Sequence, residues 1–361
     1  MSNKRKLMKG NGAICYGALA AGCDAFFGYP ITPQNEIPEY MSKMMPENGK
    51  VFVQAESEVA AINMVYGAAA SGKRAMTSSS SPGISLKQEG LSYIAASELP
   101  AVVVNVQRAG PGLGGILAGQ ADYFQTVKGG GHGDYHLLTL APWSVQECYD
   151  FMPIAFDLAD KYTNPVCILM DGVTGQMQEA VTLHDIENKK YDKTWAADGN
   201  PKDKKAVINS LWVDPVILEA LNDKIAKKYR EALAEIRFSE YKVEDAELII
   251  VAYGTSARIA KTVVDMARKE GIKLGLFRPI TLYPFPHQKL FEYAGNSKNF
   301  LVVEMSKGQM IEDVMISVCG RASVDFYGRT GGQIMTPDEV FEKAKSALEN
   351  PVNPYKRSWE L

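Results

Sequence analysis

Several residues of this chain have types and spacings that could do chemistry. Glu56 and Glu58 flank Ser57 just after the strand-like Val51-Phe52-Val53. The ordinary reading makes Ser57 a helix N-cap and Glu58 a first-turn acid, both common at helix starts. The alternative is that Glu58 serves a functional site. Ile31 and Thr32 are squeezed between Pro30 and Pro33 in GYPITPQNEIPEY. A residue before proline is pushed towards extended geometry, so this stiff loop presents one hydroxyl where a ligand could be held. Arg108 closes the run PAVVVNVQ and precedes the flexible AGPGLGG. There it could meet an anion, with an exposed surface arginine as the plain alternative. Ser78 to Ser81 lead into Pro82-Gly83 and a helical pattern. They form either a hydroxyl-rich turn or one wall of a coenzyme or substrate site, with backbone N–H groups at a helix N-terminus. His132, Asp134 and His136 lie in a glycine run that is a poor frame for metal ligands, and no metal site is assigned.

The elements that must position these groups alternate along the first half. Asn11 to Gly22 reads as a small-residue helix closed by Gly22, and Phe26-Phe27 ends a short apolar run before the proline loop. Ser57 opens a helix to about Ser71, capped at Gly72, and Arg74 to Thr77 is a short strand entering the serines. Pro100 to Val106 is a continuous β-branched run suited to a buried parallel strand. Leu137 to Ala141, Ser144 to Lys161 and Pro165 to Met170 read as strand, helix and strand. This alternation indicates a doubly wound α/β domain, in which ligands gather beyond the carboxyl ends of the strands. Residues 179–244 are polar and lysine-rich, with one long helical stretch from Asp214 to Tyr241; they read as a linker across the first domain. Leu248 to Ala252 starts a second α/β domain. Its turn Tyr253 to Ala257 could bind a phosphate, which keeps a nucleotide-binding protein as a rival reading.

Length and composition narrow the possibilities. The chain has 361 residues and suits two domains, taken as 1–178 and 245–361 around the linker. A net charge of −3 gives no reason to invoke nucleic acid or an anionic membrane. The start, MSNKRKLMKG, lacks the apolar stretch of a secretory signal and reads as a solvated arm. No apolar run approaches the roughly 18 residues of a membrane span, so a cytoplasmic protein is expected. Cys15, Cys23, Cys148, Cys167 and Cys319 are scattered, without Cys-x-x-Cys spacing. All five are expected to be buried and structural, with no iron–sulfur cluster on this chain.

GYPITPQNEIPEY, QAESEVAAINMVYGAA, TSSSSPGISLKQEG and VVVNVQRAGPGLGG, in this order and spacing, resemble the alpha-type subunit of 2-oxoacid:ferredoxin oxidoreductases. The likeness runs from about Lys9 to Asp171 and continues more loosely from about Glu244, and it is greatest to subunits of enzymes acting on 3-methyl-2-oxobutanoate (2-ketoisovalerate). The resemblance implies a thiamin diphosphate-binding fold, here the pyrimidine-binding module, followed by a transketolase C-terminal-like α/β domain. It implies that thiamin diphosphate is shared with a partner, because the Gly-Asp-Gly signature for magnesium and diphosphate is absent from this chain. A thiamin diphosphate-binding beta-type subunit and an iron–sulfur subunit are then the partners, bringing magnesium and clusters, with ferredoxin and coenzyme A as further reactants.

Residue by residue, Glu58 matches the family glutamate that hydrogen-bonds the pyrimidine ring nitrogen and so promotes loss of the thiazolium C2 proton, with Glu56 as its rival. Pro30 and Ile31 belong to the same coenzyme-binding loop. Thr32 matches a threonine near the oxo-acid end of the substrate, and Arg108 matches the arginine that pairs with substrate carboxylate. A branched-chain 2-oxo acid is expected ahead of 2-oxoglutarate or pyruvate. A dicarboxylate needs a second cation, and Ala109 to Ile116 offer none, whereas Leu113 and Ile116 suit an apolar tail.

Overall fold

The computed structural model describes residues 4–199, 206–296 and 298–352. Parts of the expected arm (1–3), linker (200–205) and second domain (297 and 353–361) lie outside these. The first half runs β1 (Lys4–Lys9), α1 (Gly10–Ala20), β2 (Ala25–Gly28), α2 (Glu36–Glu47), β3 (Val51–Gln54), α3 (Glu58–Ala70), β4 (Ala75–Ser79) and α4 (Ser81–Ala96). It continues with β5 (Ala101–Gln107), α5 (Tyr123–Val127), β6 (Leu138–Leu140), α6 (Val145–Tyr162), β7 (Pro165–Asp171), α7 (Gly172–Gln176) and β8 (Gln178–Leu183). Then follow α8 (Pro215–Glu231), β9 (Phe238–Tyr241), β10 (Leu248–Val251), α9 (Gly254–Lys269), β11 (Leu274–Pro279) and β12 (Thr281–Tyr283). The chain closes with α10 (His287–Gly295), β13 (Asn299–Glu304), α11 (Met310–Val318), β14 (Val324–Gly328) and α12 (Pro337–Glu349).

The large sheet has the order β12-β6-β7-β5-β4-β2-β3 and is parallel except for β12. Its β-branched centre is covered on both faces, as a parallel sheet requires. Along β5, Ala101 and Val103 face one core with Ile62 of α3 and Leu91 of α4. Val102, Val104 and Val106 face the other, with Ile14 of α1, Ile37 of α2 and Phe156 of α6. Because the strands run the same way, the loops after β2, β3, β4, β5 and β7 emerge along one edge. Those loops carry the proline turn, Glu58, the serines, Arg108 and Asp171.

The second sheet has the order β14-β13-β10-β11-β9, parallel except for β9. Ile249 and Val251 face the α3–α4 core of the first half, whereas Leu248 and Ile250 face α9 and α12. One hydrophobic core therefore joins the two halves.

Five expectations change. The basic start is not a free arm, because Lys4–Lys9 pairs antiparallel with Gln178–Leu183. The segment read as a linker supplies that partner strand and also β9, an edge of the second sheet. The long helix ends at Glu231, and Phe238–Tyr241 is extended because its backbone pairs with β11. Thr281–Tyr283, from the span assigned to the second domain, forms β12 on the edge of the first sheet. Cys15, Cys23, Cys148 and Cys167 are buried, but Cys319 is exposed at the end of α11, in a left-handed conformation that stops the helix at the surface.

The turn at Tyr253 to Ala257 is closed to phosphate by the protein's own carboxylate. Asp171, fully buried at the end of β7, accepts from Thr255 N at 2.8 Å and from Thr255 Oγ1 at 2.6 Å. It also accepts from Thr174 N at 2.9 Å, so one carboxylate caps both α7 and α9. Gly254 (φ +54°) permits this approach, since a Cβ there would stand 2.5 Å from Asp171 Oδ2. Anions belong at helix N-termini, and here the first domain supplies one to the second. Asp171→Ala leaves these buried donors without an acceptor and should destabilise the protein by about 2–4 kcal/mol. Urea unfolding measures it, and an unchanged midpoint would show that the joint contributes nothing.

Candidate active site

Glu58 is the first residue of α3, and Ser57 caps the helix by accepting from Ala60 N at 3.1 Å. The ordinary helix-start chemistry is therefore present. It does not explain the burial of the Glu58 side chain, which is only 6% exposed, while Glu56 faces solvent. Burial separates the two rival carboxylates in favour of Glu58. The carboxyl lies against the first turn of α4, where a Cβ on Gly83 would stand 2.6 Å from Glu58 Oε1 and 2.1 Å from Ser79 Oγ. Glycine at 83 is what lets the two helices bring this carboxylate to the serines.

The proline loop is pinned from three sides. Gln34, fully buried, donates to Tyr29 O at 3.1 Å and accepts from Ser78 Oγ at 2.6 Å. Asn11 and Gln176 both donate to Pro33 O at 2.9 Å. Thr32 and Ile31 are half-buried in this frame and Pro30 is exposed. Asn35 Nδ2 donates to Thr32 Oγ1 at 3.2 Å.

Arg108 is buried, so the plain surface reading fails. Its guanidinium donates to Thr32 O at 3.0 Å and to Leu113 O at 2.8 Å, and its Nε is buried without a partner. Its backbone N–H donates to Ser81 Oγ at 3.0 Å, and that hydroxyl donates to Asp122 Oδ2 at 2.6 Å. Asn105 Nδ2 donates to the same oxygen at 2.9 Å. Burial pushes the Asp122 carboxyl up, and the Ser81 and Asn105 hydrogen bonds and the Arg108 charge offset part of that rise.

The structure thus joins Arg108 to Thr32 directly, and links Glu58 to Arg108 through the serine turn at the start of α4. Ser79 Oγ and Ser80 Oγ are buried in that turn without partners. Unpaired buried hydroxyls are uncommon and need an acceptor or donor from elsewhere. Sequence reasoning missed Gly83, Gln34 and Asp122. The first was visible only as a glycine in a helical turn; the other two serve through folded contacts.

Lys87 is fully buried on α4 and donates to Glu58 O at 3.2 Å. Burial pulls its ammonium down to about 8, against the opposing pull of the Glu58 charge. An apolar cleft of about 390 Å³ lies beside Pro33, lined by Ile116, Leu117, Val173, Met177 and Ile334 and by no charged side chain. Leu113 is 80% exposed.

Residues 16–244 match the family model for pyruvate flavodoxin/ferredoxin oxidoreductase, thiamine diphosphate-binding, and residues 246–340 match core domain II of pyruvate:ferredoxin oxidoreductase. The chain belongs to the 2-oxoacid:ferredoxin oxidoreductases, as an alpha-type subunit. It is 51% identical to ketoisovalerate oxidoreductase subunit VorB of Methanothermobacter marburgensis, over 94% of this chain and 97% of that one. Identity to 2-oxoglutarate synthase subunit KorA of the same organism is 36%, over 93% of this chain and 97% of the relative. Among solved structures, the 2-oxoglutarate:ferredoxin oxidoreductase of Magnetococcus marinus, with 2-oxoglutarate, coenzyme A and succinyl-CoA bound, superposes with a TM-score of 0.85 at 27% identity. That match covers 95% of this chain and 65% of that one, so this chain spans about two thirds of the larger protein. A split-gene transketolase matches at TM-score 0.59 and 13% identity over 95% of this chain and 98% of that one, which is a likeness of fold alone.

The residues present suit the coenzyme of this family. A buried carboxyl, two unpartnered serine hydroxyls and an unpartnered guanidinium nitrogen lie at one edge of the sheet. Gly83→Ala should lower thiamin C2 proton exchange about tenfold or more by displacing Glu58, although alanine favours the helix by about 1 kcal/mol. Exchange measured on the assembled complex checks this, and a wild-type rate would mean that Glu58 needs no such close contact.

Proposed function

We propose that this chain and its partner subunits catalyse thiamin-dependent oxidative decarboxylation of 3-methyl-2-oxobutanoate (ketoisovalerate), giving the acyl-CoA and carbon dioxide and passing the electrons to ferredoxin. The observation that carries the chemistry is the buried Glu58 carboxyl set against the serine turn that Arg108 shares. When bound, thiamin diphosphate supplies a thiazolium carbon that adds to the 2-oxo carbon and accepts the electrons left as carbon dioxide departs. Glu58 shares a proton with the pyrimidine ring nitrogen, and Pro30 and Ile31 form the adjoining wall. Arg108, whose Nε has no partner among the described residues, pairs with the substrate carboxylate. Thr32, tied to the same guanidinium, borders the oxo end.

The rest of the site belongs to partners in this proposal. Magnesium is assigned to a beta-type subunit and the clusters to an iron–sulfur subunit, as the resemblance implies. Among the described residues no helix is long and apolar enough to cross a membrane. The relationship to VorB favours ketoisovalerate. The cleft beside Pro33 agrees with it, because its apolar lining has no cation for a distal carboxylate.

In the assembled complex, Glu58→Gln should lower C2 proton exchange and turnover by at least about 100-fold while assembly survives. Near-normal exchange would move the proton-sharing role away from Glu58. A kcat/KM panel of 2-oxo acids with ferredoxin or a viologen as acceptor should rank ketoisovalerate above 2-oxoglutarate and pyruvate. The reverse order would overturn the substrate while leaving the thiamin chemistry standing.

A further inference from the structure

An ammonium group is costly to bury without a counter-charge, yet Lys87 lies fully buried in the middle of α4. Its nearest polar contact is the main-chain oxygen of Glu58, at 3.2 Å. Lys87 follows Gly83 by one helical turn, so both lie on one face of α4. Gly83 meets the Glu58 carboxyl, Lys87 meets the Glu58 main chain, and Gly90, next on that stripe, abuts Ile62 one turn further along α3. The face of α4 is thus fitted to the start of α3 at three successive points, and the middle one is a cation.

We propose that Lys87 is a positioning residue for the thiamin-dependent reaction, holding the first turn of α3 through the Glu58 carbonyl and setting a positive charge beside the start of that helix. This rests on the reading of Glu58 as the proton-sharing group. Glu58 is also the group whose charge acts on Lys87. Ser79 of β4 and Ile62 of α3, which meet this face of α4 at Gly83 and Gly90, are uncharged, and Glu56 faces solvent. Desolvation brings Lys87 to about 8, so it remains mostly protonated at neutral pH and loses its charge as pH rises through that value.

The first test needs no coenzyme. In the coenzyme-free complex, with ¹³Cε-lysine in this chain alone, the Lys87 resonance should titrate near pH 8. Its assignment comes from its loss in Lys87→Met, or in Lys87→Gln if the methionine variant does not assemble. Glu58→Gln should lower that midpoint by about one unit, because the charge that favoured the ammonium is gone. A midpoint that Glu58→Gln leaves in place overturns the proposal. In the coenzyme-loaded complex, Lys87→Met should lower C2 exchange about tenfold at neutral pH, and its deficit against wild type should shrink as pH rises through about 8, where wild-type Lys87 loses its charge. An unchanged exchange rate in Lys87→Met, with exchange abolished by Glu58→Gln, overturns the role of Lys87 alone. Wild-type exchange in Glu58→Gln would instead remove the reading beneath it.

Discussion

The site depends on the close approach of two helix starts, α3 and α4, at the carboxyl edge of a parallel sheet. A carboxylate at a helix N-terminus is normally solvated. Here the missing side chain of Gly83 lets α4 come so near that Glu58 is buried among serine hydroxyls. Desolvation and a buried lysine then act on one acid, beside a turn whose Ser79 and Ser80 hydroxyls are unpartnered among the described residues. Each of these raises the energy of the site unless a partner satisfies it.

The same edge explains why the two halves of the chain cannot be read separately. Asp171 ends the central strand β7 and caps a helix in each half. Gln120, also fully buried, donates to Tyr253 O at 3.0 Å and accepts from Ser256 Oγ at 2.7 Å. Arg278 forms a two-point ion pair with Glu147 at 2.8 and 2.9 Å and stacks over Trp143. Through Gln120 the second domain helps to hold the segment after Arg108.

Much of the first half could be read from the chain because its signals are local. Proline on both sides of Ile31-Thr32, a Ser-Glu helix start, a serine turn before Pro-Gly and a β-branched run ending in arginine each restrict backbone geometry within a few residues. Parallel strands then bring their carboxyl ends to one edge, and the resemblance supplied roles for the residues found there. Short strands with distant partners were read less well. Lys4–Lys9, Phe238–Tyr241 and Thr281–Tyr283 are short strands whose partners lie far along the chain or in the other half. Nothing within those segments distinguishes them from an arm, a helix end or a turn.

What the sequence by itself determined is the set of strand ends, turns and caps that carry Thr32, Glu58 and Arg108. Tertiary structure alone decided which of the two acids is buried, that Arg108 is no surface residue, and that the Gly254 turn receives Asp171 in place of a phosphate. It also decided that Lys87 faces Glu58. The reason is physical: backbone propensity acts over one turn, whereas desolvation and charge pairing depend on which helix or strand comes alongside, and that is set by packing across the whole fold.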